Sequence, residues 1–89
     1  MFTILISRKS AKFIKKLDKK LQRRILEILE VLRYNPIPFR KYDIKKLEGF
    51  DNAYRIRVGK IRITYEIITE EMKIKVRFVG YREKAYKRR

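Results

Sequence analysis

The stretch Tyr54-Arg-Ile-Arg-Val-Gly-Lys-Ile-Arg-Ile-Thr-Tyr-Glu66 alternates apolar and polar residues on both sides of Gly59. A period of two belongs to half-buried strands, and two such runs separated by two residues predict a hairpin. Gly59 suits the first loop position of a type II′ turn, which needs φ > 0. A Gly59-Lys60 loop sets the register: Val58 faces Ile61, Arg57 faces Arg62, Ile56 faces Ile63, Arg55 faces Thr64 and Tyr54 faces Tyr65. One face is then wholly apolar, built from Tyr54, Ile56, Val58, Ile61, Ile63 and Tyr65. The other carries Arg55, Arg57 and Arg62, two of them directly opposed. Like charges opposed across a ladder destabilise it. Two readings stand, the solvated side of an amphipathic sheet and a place where an anion is held. Glu66, at the far end, is the one acid on that face, which favours the anion.

The totals narrow the partners. A chain of 89 residues suits one domain with a single modest core. Its 26 Lys and Arg against 10 Asp and Glu give a net charge of +16, which draws polyanions: nucleic acid, an anionic membrane or an acidic protein. Cysteine is absent, which excludes disulfides and thiolate zinc sites. Histidine is absent too, so no Ser-His-Asp or Cys-His set exists. Glycine occurs at 49, 59 and 80, spacings that build neither standard phosphate-cradling loop. The acids are scattered, with Glu70-Glu71 adjacent in a polar turn, which does not suit a two-metal carboxylate site. No apolar run reaches transmembrane length, and Met1 to Ser7 is too short for a signal peptide, so the cytoplasm is the expected compartment.

Around the hairpin the chain reads in order. Phe2 to Ile6 is a first strand, and Ser7 or Ser10 caps the helix after it. Apolar residues then recur at spacings of three and four: Ala11, Ile14, Leu17, Leu21, Ile25, Ile28 and Leu32. One helix from Arg8 to Tyr34 would be about 40 Å long, more than a domain of this size covers. Asp18 is the expected break, giving helices over roughly 8–17 and 19–34. Asn35-Pro-Ile-Pro38 stops the second, because proline lacks an amide donor and restricts its predecessor. Phe39 to Asp43 reads as a loop, and Ile44 to Leu47 leads back to the sheet. A last strand, Lys73 to Phe78, turns Ile74, Val76 and Phe78 inward, and Lys75 and Arg77 outward. From about 83 the chain is a basic tail. The expected fold is α+β, a two-helix hairpin packed on one face of a small antiparallel β-sheet. Its open face would hold Arg55, Arg57, Arg62, Lys75 and Arg77, a surface suited to backbone phosphates.

RNA cleavage fits this residue set without metal or histidine. The 2′-hydroxyl attacks the neighbouring phosphate if a group takes its proton, the phosphorane is stabilised, and the leaving 5′-oxygen is protonated. Guanidiniums serve the middle task, gripping two phosphate oxygens at once. They do not deprotonate at ordinary pH, so proton transfer falls to a tyrosine, a lysine or a group on the substrate or its carrier. Tyr81 and Tyr86 lie near the basic tail, where positive charge favours phenolate. For Tyr86, chemistry alone slightly favours a surface aromatic or a small satellite-core residue over proton transfer, and stacking on a nucleobase is a third role.

Leu47-Glu-Gly49, the Tyr54–Tyr65 hairpin and Val79-Gly-Tyr-Arg82 with a tyrosine soon after resemble the RelE/ParE toxin superfamily. The helical hairpin around Lys16-Leu17-Asp18-Lys19-Lys20 extends the resemblance over nearly the whole chain, and Pro36-Ile-Pro38 is most similar to archaeal RelE-type toxins. The resemblance implies a toxin paired with an acidic RelB-like antitoxin. It implies ribosome-dependent cleavage of mRNA in the A site, without metal or other cofactor, leaving a 2′,3′-cyclic phosphate. By position, Arg55 and Arg57 match basic residues of the active strand, lysines in the best-known bacterial members. Arg62 and Arg82 match the phosphate-gripping arginines, and Tyr86 the tyrosine credited with proton transfer, although it stands closer to its arginine here. Arg40, Lys75, Arg77 and Lys84 are the further RNA contacts expected. Counting by twos from Ile74 turns Arg82 inward, so a bulge at Val79-Gly80 or a strand end is expected before it. Two other activities remain open, inhibition of DNA gyrase as in ParE-type members and non-catalytic binding of RNA or the ribosome.

Overall fold

The computed structural model describes residues 1–81, and the expected basic tail, with Arg82, Lys84 and Tyr86, lies outside them. Strand β1 (Thr3–Ile6) leads into helices α1 (Arg8–Lys15) and α2 (Lys19–Tyr34). Four strands follow: β2 (Asp43–Lys46), β3 (Ala53–Val58), β4 (Ile61–Ile68) and β5 (Lys73–Tyr81). The short turn between β4 and β5 is a 3-10 helix, Thr69–Glu71.

The helical hairpin forms as its caps dictate. Ser7 starts α1, its hydroxyl accepting from the Ser10 amide at 3.2 Å. Asp18 starts α2, its carboxylate accepting from the Leu21 amide at 2.9 Å. Gln22 then donates to the carbonyls of Ile14 and Lys15, 3.0 Å each, satisfying the end of α1 from the second helix. Both helices lay their apolar stripes on the sheet. Ile14, Ile25, Ile28, Leu29 and Leu32 share one core with Ile56, Ile63, Tyr65, Ile74 and Val76.

The β3–β4 register is the expected one at every pair from Tyr54↔Tyr65 to Val58↔Ile61. Gly59 sits at φ 60 and Lys60 outside the left-handed region, the combination a type II′ turn requires. The sheet as a whole differs from the expected one in two ways. It has five strands in the order β1-β5-β4-β3-β2, because Asp43–Lys46 pairs with β3 as an added antiparallel edge. It is also mixed, since β1 runs parallel to β5, with Ile4 beside Ile74 and Ile6 beside Val76. The direction of that pairing follows from the path of the helices between them, which no local pattern encodes.

A third difference lies in β5. Thr64 pairs with Phe78 and Tyr65 with Val76, so Arg77 is the extra residue of a β-bulge. The break in alternation therefore falls two residues before the expected Val79-Gly80. It turns Phe78 onto the face opposite the helices, where an inward Phe78 was expected, and Val79 takes the inward position opposite Ile63.

Candidate nucleic-acid interface

The face away from the helices is organised in rows set by strand register. Asp43, Arg57, Arg62 and Gly80 form one row across β2, β3, β4 and β5. Lys45, Arg55, Thr64 and Phe78 form the next. Neighbouring strands lie about 4.8 Å apart, so the guanidiniums of Arg55, Arg57 and Arg62 share one small area.

This area is less open than the sequence suggests. Arg55 and Arg62 are buried, 7% and 6% exposed. β2 covers the flank of β3 that a four-stranded sheet would leave free, so Arg55 on β3, like Arg62 on β4, stands on an interior strand. Nor is the face without acids. Asp43, expected in a loop, lies on β2 opposite Arg57, and its carboxylate accepts from Arg57 Nε at 3.2 Å. The same carboxylate stands 3.8 Å from Arg55 Nη1. At the other end Arg77 donates to Glu66 through Nε at 3.0 Å. Arg57 is thus oriented by a carboxylate that also stands near Arg55, and with one Asp among three arginines the cluster stays cationic.

The structure brings Arg55, Arg57 and Arg62 together. Lys75 and Arg77 sit further along the face on β5, Lys75 opposite Glu66. Arg40 is exposed in the turn before β2. Arg82, Lys84 and Tyr86 lie outside the described residues. Sequence reasoning missed Asp43 and Phe78. Asp43 was hidden because Asp-Ile-Lys-Lys offers one apolar residue and no alternation to read, and Phe78 because a bulge leaves no local signature.

Phenols on the inner side have other work. Tyr65 is buried and donates to the Pro36 carbonyl at 2.7 Å, anchoring the loop that ends α2. Burial, and to a lesser degree neighbouring Tyr54, push its phenol above the ordinary 10.0, so it stays protonated. Among the described residues no cluster of His, Cys, Asp or Glu could hold a metal ion, and no helix is long and apolar enough to cross a membrane.

No family model matches the sequence. Individual proteins do. RelE1 of Methanocaldococcus jannaschii is 38% identical over 86 residues, 97% of this chain and 96% of the relative. This chain belongs to the RelE toxin family. Toxin RelE3 of the same organism is 37% identical over 65 residues, 72% of this chain and 74% of its own length. Among solved structures, the archaeal RelE–RelB complex of Pyrococcus horikoshii OT3 contains a chain that superposes with TM-score 0.83 at 32% identity, covering 91% of this chain and 94% of that one. The isolated E. coli RelE toxin, 20% identical with TM-score 0.75 over 91% of this chain and 84% of that one, shares the RelE fold.

Proposed function

We propose that this chain is the toxin of a toxin–antitoxin pair and cleaves mRNA in the ribosomal A site. The observation that carries the reading is the row in which Arg57 and Arg62 are directly opposed, with Arg55 one row away. Such a like-charge pair weakens a ladder and is offset when a phosphate bridges it. Membership of the RelE family supplies the reaction class.

In this reading the 2′-oxygen of the RNA attacks the adjacent phosphorus. The bond to the 5′-oxygen breaks, leaving a 2′,3′-cyclic phosphate and a 5′-hydroxyl. Arg62, with Arg82 beyond the described residues, binds the non-bridging oxygens as negative charge builds on them. Arg57, aimed by Asp43, and Arg55 hold the flanking backbone. Proton transfer is assigned to Tyr86. Arg40, Lys75, Arg77 and Lys84 are assigned to backbone phosphates outside the reacting centre. Metal has no assigned step. Between rounds of activity, an acidic RelB-like antitoxin would cover the cationic face, folding as it binds. Such a pair belongs in the cytoplasm, where ribosomes are.

The test is primer extension on mRNA held in translating ribosomes, comparing the wild type with Arg62→Ala and Arg82→Ala. Cuts within the A-site codon that both variants lose would support the reading. Ribosome binding without cuts would indicate a binding module. Intact translation with blocked DNA supercoiling would indicate a gyrase inhibitor.

A further inference from the structure

On the side away from β4, β5 beyond Val76 has no strand of the described residues beside it, because β1 ends at Ile6. Its free edge and α1 enclose a groove of about 400 Å³, lined by Lys9 and Phe13 of α1 and by Arg77, Phe78, Gly80 and Tyr81 of β5, among others. The walls are aromatic. Phe13 and Tyr81 meet edge to face, their centroids 5.1 Å apart. The Phe78 ring lies over Gly80 so closely that a Cβ there would come within 2.6 Å of its tip. Two cations, exposed Lys9 and Arg77, flank the opening, with Arg77 also held by Glu66.

The groove is joined to the arginine cluster by the bulge at Arg77. Without it Phe78 would point into the core. With it, the ring stands on the cationic face opposite Thr64, over a glycine that pairs with Arg62. Gly80 is what permits this, since a side chain there would occupy the space of the ring. Flat apolar walls, flanking cations and backbone groups of an unpaired strand edge are the elements that take up an unstacked base and its phosphate.

We propose that this groove is a nucleobase site, in which Phe78 stacks one base of an RNA strand while Lys9 and Arg77 hold the phosphate beside it. The inference rests on the reading of the arginine face as an RNA interface and extends it to a base-binding position. A peptide segment is the less favoured occupant, because cations flank the opening and the Phe78 wall continues onto the arginine face.

The experiment uses the full chain and a short single-stranded RNA carrying 2-aminopurine, whose fluorescence is quenched on stacking. Binding to the wild type should quench the probe. Phe78→Leu should abolish the quench and weaken binding roughly 5- to 100-fold, the range of one base–aromatic stack. Phe78→Trp should restore both. Lys9→Ala, a change at an exposed position, should leave the quench and reduce the slope of log affinity against log salt by about one. RNA binding by the wild type without a quench, or an undiminished quench in Phe78→Leu, would overturn the base site while leaving the RNA reading intact. No RNA binding together with no ribosomal cleavage would overturn that reading and the site with it. If Phe78→Leu instead lost a co-expressed antitoxin and kept its RNA affinity, the groove would be a protein-docking surface. Circular dichroism of each variant separates these outcomes from misfolding.

Discussion

The two faces of the β3–β4 hairpin share a backbone and a register, yet they do opposite things. On the helix side, Ile56 faces Ile63 and Tyr54 faces Tyr65, with Ile56, Ile63 and Tyr65 wholly buried. On the other side Arg57 faces Arg62, one register step from those pairs. The first face stabilises the fold by removing apolar area from water. The second gives up stability by crowding like charges. A strand can do both because successive side chains leave the pleat on opposite sides. The proposed function therefore predicts that stability and activity are separable by substitution, one residue at a time.

The largest effect on that comparison comes from the apolar side. Ile63→Ala leaves a cavity at a fully buried position and should lower stability by about 2–5 kcal/mol in urea unfolding. Cleavage, corrected for the folded fraction, should change little. A specific loss of cleavage with stability retained would mean that the faces are not separable.

Arg62→Ala should do the reverse. Removing a donor to the developing charge should lower the cleavage rate by about 10²- to 10³-fold, measured under single-turnover conditions. Arg62→Lys should recover part of it, because the ammonium keeps the charge and loses the fork.

Tyr65→Phe tests the apolar face at its one polar contact. Loss of the bond to Pro36 should cost about 1 kcal/mol at neutral pH. The phenol is held above its ordinary 10.0 in the fold, so the unfolded chain releases its proton first as pH rises. Its contribution is present in full below pH 10 and falls as pH climbs through the folded value. The stability difference between wild type and Tyr65→Phe should therefore shrink above pH 10 in parallel denaturation curves.

The smallest effect is expected at Asp43→Asn. The Arg57–Asp43 pair is solvent-accessible, so stability should change by about 1 kcal/mol or less. RNA affinity at low salt should rise, because the face loses a negative charge, while cleavage per bound RNA should fall as Arg57 loses its orientation. Unchanged values of both would show that the carboxylate does not act on the arginine cluster.

Legibility in the sequence followed the range of the interaction. The β3–β4 register could be read because a two-residue loop and strict alternation leave one pairing that buries the apolar set. The break at Asp18 was readable because capping involves a side chain and an amide three residues on. Arg55, Arg57 and Arg62 could be placed on one face by the same alternation. β2 could not be read, since Asp-Ile-Lys-Lys has almost no pattern, and with it went the carboxylate opposite Arg57.

What the sequence determined by itself, then, was the set of local decisions: two capped helices, a tight hairpin, and an apolar and an arginine face. Tertiary structure decided how those pieces meet. It set β1 parallel to β5, placed β2 beside β3 so that Arg55 stands on an interior strand, and inserted the bulge that brings Phe78 to the arginine side. These outcomes depend on strands far apart in the chain competing for the same edges and the same core. No window of neighbouring residues contains that competition.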